Sequence, residues 1–239
     1  MSVLEFCSRV VISGILLCTV SLPATGQAFG QSTLTEAEMA AGPCQGIVDD
    51  LKSGRYVKDQ AILRCVEAFF NSGGSASAVR FIRDLQPLLS DRPKLRAQML
   101  AREGSFWIGS GNFNEAAASF QSSLEILEPV HLEVDLLRLT TLVNAGESLL
   151  SLRHKSEAEA YFQEALRYSW YTVSGHPTEM QALREQYIFA GRGLIETRRG
   201  NLEALRQIFF VPATSQVLGP VLQKAIEEAK ASTLSVDHK

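Results

Sequence analysis

From Pro43 onward, apolar side chains recur every three or four positions, and no stretch alternates with period two for long enough to suggest a strand. Ile47, Leu51 and Val57 mark a first short helix and the turn after it. Ala61, Ile62, Cys65, Val66, Phe69 and Phe70 make one apolar helix face. The run NSGGSAS, residues 71–77, predicts a turn, because Gly and Ser clusters interrupt helices. Val79, Ile82, Leu85 and Leu89 mark another helix, which ends near Asp91, Arg92 and Pro93. Towards the other end, Leu222, Ala225, Ile226 and Ala229 fit an amphipathic closing helix, and residues 232–239 read as a tail. The pattern as a whole predicts an all-α protein.

The middle of the chain is self-similar. A shift of 42 residues lays Leu100 on Leu142, Gly104 on Gly146, Trp107 on Leu149, Ala116 on Ala158, Phe120 on Phe162 and Leu124 on Leu166. Within each copy the spacings have a geometric meaning. Leu100, Gly104 and Trp107 share one face of a first helix, and Ala116, Phe120 and Leu124 share one face of a second. Gly111 and Asn112 break the helix between them. Small residues stand where two helices approach closely, and large ones fill the space beside them. Asn114 is expected to cap the second helix, with Glu115 well placed for the positive end of its dipole.

These pairs resemble the tetratricopeptide (TPR) repeat, a helix pair of about 34 residues with a large-Gly-aromatic face, then Ala, Phe and Ala-Leu positions, then Pro. The first copy reads Leu100, Gly104, Trp107, Gly111, Phe113, Ala116, Phe120, Leu124 and Pro129. The second reads Leu142, Ala145, Gly146, Leu149, Ala158, Phe162, Ala165 and Leu166, with Trp170 near the place of the Pro. A third, partial copy reads Phe189, Gly193, Gly200, Leu202 and Phe209; it has Glu196 at the aromatic place and Leu205 at the small place. The resemblance covers about residues 97–212. It implies an irregular TPR-like α-solenoid of antiparallel helix pairs. Residues 96–231 then form the repeats with their closing helix, and 43–95 form an N-terminal helical region whose part 61–92 is a degenerate further copy. The excess over the family's length falls at VHLEVDLL, residues 130–137, read as an extension of a first helix. The step from Gly146 to Gly193 is 47, so RYSWYTVSGHPTEM, residues 167–180, is expected to form a longer loop.

In this family the first helices line a concave groove that holds peptide segments. Carrying those positions over gives Gln98, Ala101, Arg102, Ser105 and Ile108 from copy one, and Thr140, Val143, Asn144, Glu147 and Leu150 from copy two. Copy three gives Tyr187, Ala190, Gly191, Leu194 and Arg198. The set is mixed and partly apolar, suited to an extended or helical peptide. It contains no Lys, and Arg102 with Asn144 is too little for a carboxylate clamp. The other reading is that one of the chain's own terminal helices fills the groove. Tyr171, in the expected loop, is a candidate exposed anchor, since aromatic residues concentrate at binding hot spots.

The N-terminus changes the picture of where this array works. Arg9 is followed by an uncharged apolar run, residues 10–22, then Pro23 and the small residues ATGQA. This is the plan of a secretory signal, residues 1–28, with cleavage after Gly26 or Ala28 and a flexible leader over 29–42. The apolar run is shorter than the roughly 20 residues a membrane span needs, so no integral span is expected in the mature chain. Cys44 and Cys65 remain after cleavage, and an even pair in an oxidising compartment points to a disulfide. The expected location is periplasmic or secreted.

Composition adds exclusions. Hydrophobic residues make up 46% of 239, too many for a disordered chain. The formal charge is −3 with no long basic run, which argues against nucleic acid. His131, His154, His176 and His238 form no metal-binding spacing, and no nucleophile elbow or phosphate loop occurs, so no cofactor or metal is expected. The reading that follows is a non-enzymatic exported scaffold, binding a protein or peptide partner in the bacterial cell envelope. A second reading is an enzyme or accessory subunit acting on cell-wall glycan, for which Glu147 with Glu164 is the one acid pair worth testing. A third is a structural protein that self-assembles through its repeat ends, as a homo-oligomer.

Overall fold

The computed structural model describes residues 44–128, 136–175 and 181–236, without the side chains of 72, 170–175 and 233–236. All of these lie in one unit of the chain, Ser32–Lys239. The signal segment and the leader lie outside the described residues, as does most of VHLEVDLL. The described residues form helices and no strand: α1 (Gln45–Lys52), α2 (Asp59–Leu85), a 3-10 turn (Gln86–Leu89), α3 (Pro93–Gly109), α4 (Phe113–Leu127), α5 (Leu136–Ser151), α6 (Lys155–Gly175), α7 (Gln181–Thr197), α8 (Leu202–Arg206) and α9 (Pro212–Val236). Each packs mainly on its neighbours in sequence. In addition α5 lies against both α3 and α7, so the first helices of successive pairs form a continuous row.

Two glycine notches explain why the pairs close as they do. A Cβ added to Gly104 in α3 would stand 2.7 Å from the ring of Phe120 in α4. A Cβ added to Gly146 in α5 would stand 2.7 Å from the ring of Phe162 in α6. The ring lies directly on the facing backbone in both pairs, and only a residue without Cβ permits that approach. Gly193 of α7 touches the same Phe162 ring more closely still. Phe162 therefore joins its own pair to the next one. Ser123 adds a polar link within the first pair, its hydroxyl donating to the Ala97 carbonyl at 2.8 Å.

The turns repeat as well. Gly111 (φ 74°), Arg153 (φ 65°) and Gly200 (φ 88°) all occupy the left-handed region at corresponding places. In the first two turns the next residue donates back across five positions, Asn112 to the Trp107 carbonyl and His154 to the Leu149 carbonyl, both at 2.9 Å. This closes the first helix with a left-handed residue at its end. Copy two places Arg where the other two have Gly, and so carries the strain of a Cβ in that region.

The N-terminal region is itself a folded-back pair. Phe69 and Phe81 are 12 residues apart, which would separate them by about 18 Å along a straight helix. Their rings stack with centroids 4.3 Å apart. The backbone reverses at Gly74, whose φ of 70° and ψ of −168° are not helical. Residues 59–73 and 75–85 are thus two arms of α2, meeting within the expected NSGGSAS turn. Both arms reach α3. Phe70 stacks on Phe106 at 4.7 Å, and Arg83 pairs with Glu103 at 2.7 Å. Cys44 and Cys65 form the expected disulfide, with Cα atoms 5.6 Å apart, and it ties α1 to the first arm.

Four expectations are corrected. Asn114 does not cap α4: that helix starts at Phe113, and Asn112 precedes it. Residues 167–175 are not loop but the continuation of α6, because α6 runs to Gly175; residues 176–180 lie outside the described residues. Phe209 does not play the part of Phe120 and Phe162, since α8 ends at Arg206 and leaves Phe209 81% exposed. Phe210 turns inward instead, within 3.0 Å of a Cβ at Gly191. The tail begins later than Ser232, because α9 reaches Val236. The closing helix itself is as expected, with Ala225 and Ala229 buried and Leu222 and Ile226 beside them.

Two sets of variants check this packing. Gly193→Ala and Gly146→Ala should each lose about 1–3 kcal/mol through overpacking against Phe162. Gly109→Ala, at the last residue of α3, where the added Cβ meets nothing within 4 Å beyond its chain neighbours and its own helix backbone, should be neutral or gain up to about 0.5–1 kcal/mol from helix propensity. Arg153→Gly should gain about 1 kcal/mol by relieving its left-handed strain. Urea unfolding of the set decides: equal losses for the three Gly→Ala variants would refute the notch. Separately, iodoacetamide should leave the oxidised protein unmodified at Cys44 and Cys65 until it is reduced. The double Ser variant should lose about 3 kcal/mol, the closure entropy of a loop of this length.

Candidate functional site

The row of first helices presents one face whose residues came from three equivalent sets. The structure separates them sharply. In copy one, Gln98, Ala101, Arg102, Ser105 and Ile108 are all half-buried. In copy two, Thr140, Asn144, Glu147 and Leu150 are half-buried, while Val143 is buried. In copy three, Tyr187, Ala190, Gly191 and Leu194 are all buried.

The chain's own C-terminal segment closes the third set. Leu218 of α9 stands 2.6 Å from a Cβ at Gly191. Tyr187 packs with Val211 and Leu218, and its hydroxyl accepts a hydrogen bond from the Val211 N–H at 3.3 Å. Burial pushes its phenol above the usual range. Leu194 belongs to the core that includes Leu205, Ile208 and Ala225. Arg198 pairs with Glu159 of α6 at 2.8 Å and donates to the Ala204 carbonyl at 3.0 Å, so it holds three helices together. Tyr187, Ala190, Gly191, Leu194 and Arg198 are therefore structural, as is the buried Val143. They do not line an open face. The physical reason is that the third second-helix is only five residues long, which brings the chain back over α7 early. Tyr171 lies in α6 instead of a loop, and its side chain is outside the described residues.

Arg102 is engaged too: it pairs with Glu67 of α2 at 3.0 Å. The remaining open positions are small, weakly polar or aliphatic, with one acid, Glu147. No described residue hydrogen-bonds or pairs with its carboxylate. Burial raises its pKa from the ordinary 4.5 to about 7. Glu164, the acid once set beside it, belongs elsewhere: it pairs with Arg138 at 3.0 Å.

The sequence reading missed Glu103. It is 3% exposed, takes both Arg83 contacts and accepts from the Trp107 indole at 3.3 Å. The spacing of Glu103 and Trp107, four apart beside a notch glycine, was the available signal; the partner on α2 was not readable. Its role is to bind the N-terminal pair to α3. Among the described residues, no group of three His, Cys, Asp or Glu could hold a metal ion, and no helix is long and apolar enough to cross a membrane. His154 is exposed at the turn and lies 3.4 Å from Glu157. No protein-family model matches this chain, and no curated protein is similar enough to count as a relative.

Glu147 makes stability depend on pH in a definite sense. Its folded pKa is raised, so the native state holds the proton more tightly than the unfolded chain. The native state is favoured while the carboxyl is neutral, below about 4.5, and that advantage is lost as pH rises through about 7. Ionising it then costs on the order of 2–3 kcal/mol. Glu147→Gln should remove this dependence. Its stability relative to the native protein should rise by about 2 kcal/mol between pH 4.5 and pH 8 in urea unfolding. Parallel curves for the two proteins would show a well-solvated carboxylate.

Proposed function

We propose that this chain is a non-enzymatic, exported scaffold of TPR-like helix pairs that holds a protein or peptide segment against α3 and α5. The observation carrying this reading is the contrast along the row of first helices. The same face is sealed by the chain's own segment on α7 and left half-open on α3 and α5, from Gln98 to Ile108 and from Thr140 to Leu150. A face held in place by notches, ion pairs and a disulfide offers side-chain docking at little cost of reorganisation. The N-terminal signal pattern and the Cys44–Cys65 disulfide favour an oxidising compartment, the periplasm or the exterior. Work in an envelope assembly, such as secretion, pilus or polysaccharide export, is the setting that suits such a scaffold.

A hydrolytic reading has less support. Glu147 has the raised pKa of a general acid, but Glu164 is taken by Arg138. Self-association has one observation in its favour, the exposed Phe209 and Val217 at the C-terminal end.

A photo-crosslinking residue in place of Ile108, used in the producing cells, tests the proposal. The expected result is an adduct with another envelope protein that disappears with Asn144→Trp, a variant whose helicity should be unchanged. Capture of this chain alone at twice its mass would favour self-association. Absence of any intermolecular adduct would sink the scaffold reading for this face.

A further inference from the structure

Resting on that reading, we propose that the segment held against α3 and α5 presents a basic side chain, Lys or Arg, and that Glu147 is the group that receives it.

Charge balance points to this assignment. Among the described residues, every other acid that is buried or half-buried faces a cation. Asp50 pairs with Arg55, Glu67 with Arg102, Glu103 with Arg83, Glu159 with Arg198, Glu164 with Arg138, and Glu196 with Arg199. Asp84 makes no ion pair and burial raises its pKa, but the charges of Lys52 and Arg80 act on it and lower it in part. Glu147 alone in this class has no cation, and burial is the cause of its raised pKa. A carboxylate removed from water without a partner is unfavourable, and a cation delivered to it relieves that cost.

The surroundings fit such a delivery. Among the carried-over positions on α3 and α5 the one cation, Arg102, already serves Glu67, so the open positions that remain carry net negative charge. Ser105 of α3 occupies the place equivalent to Glu147, and its hydroxyl is turned to the Ala101 carbonyl at 3.0 Å. Leu194, the equivalent on α7, is buried in the core. The acid thus stands once in the row, between a small polar residue and a closed apolar end. Ala101, Ile108 and Leu150 offer aliphatic surface on which the stem of a Lys or Arg can lie while its head reaches the carboxylate.

The test uses the full chain with the crosslinker at position 108, comparing native, Glu147→Gln and Glu147→Asp proteins. The captured segments are sequenced. Segments carrying Lys or Arg within a few residues of the adduct, with yield down about tenfold in Glu147→Gln and largely kept in Glu147→Asp, are the expected result. Captured segments without a basic residue, or equal yields from Glu147→Gln, would overturn the charge assignment and leave the scaffold reading intact. No intermolecular capture from any of the three would overturn both. A synthetic peptide of a captured segment, with its Lys or Arg replaced by norleucine, gives an independent measure. Its dissociation constant should rise about tenfold against the native protein and be unchanged against Glu147→Gln.

Discussion

Everything in this molecule hangs on an aromatic ring seated on bare backbone. Phe162 fills the space between α5, α6 and α7 because Gly146 and Gly193 offer no side chain on either side of it. Large buried rings contribute much of a helical core's stability, but they also push helices apart. Removing two Cβ atoms lets the ring be buried completely while the helices stay close. Phe120 on Gly104 repeats the solution one pair earlier. Phe162 bridges its own pair and the next, and the buried residues fall into several clusters along the chain, so each pair depends on its neighbours for closure.

That locality explains what the sequence revealed. Gly104, Gly146, Phe120 and Phe162 could be found by a simple shift, because the notch requires particular residue types at fixed spacings. The left-handed turn at Gly111 was legible for the same reason. At Arg153 the same backbone is imposed on a residue that gives no sign of it. The third copy was harder to read. Its short α8 breaks the register, so Phe209 and Phe210 exchange the roles that spacing alone assigns. Tyr187 then follows, buried by Val211 and Leu218 of a segment that returns later in the chain, and Leu194 joins Leu205, Ile208 and Ala225 in the core. The reversal at Gly74 was legible as a turn, but its result, two arms that both grip α3, depends on tertiary pairs such as Arg83 with Glu103.

The ion pairs show a second layer of order over the notches. They run mostly between elements: α2 to α3, α5 to α6, and α6 to α7. Half-buried pairs of this kind add little net stability, because desolvation offsets much of their attraction. Their larger effect is to penalise wrong arrangements, since sliding one helix past another would strand a charge. Glu103 is the clearest case, with Arg83 on one side and the Trp107 indole on the other.

Against this background the open face acquires a polarity. At one end, α2 satisfies Arg102 through Glu67; at the other, α9 seals α7 with Leu218. The stretch between them is where neither terminal part of the described chain supplies a partner, and Glu147 lies there. Packing accounts for the residues on both sides, but it gives no reason for a carboxylate at this place, where Ser or Leu satisfies the equivalent positions. An unpaired half-buried acid weakens the fold at neutral pH, because the burial that raises its pKa disfavours its ionised form. Among the described residues no cation offsets that cost. A cation brought by a bound segment is the simplest group with the right charge, and the aliphatic surface beside Glu147 suits the stem that would carry it.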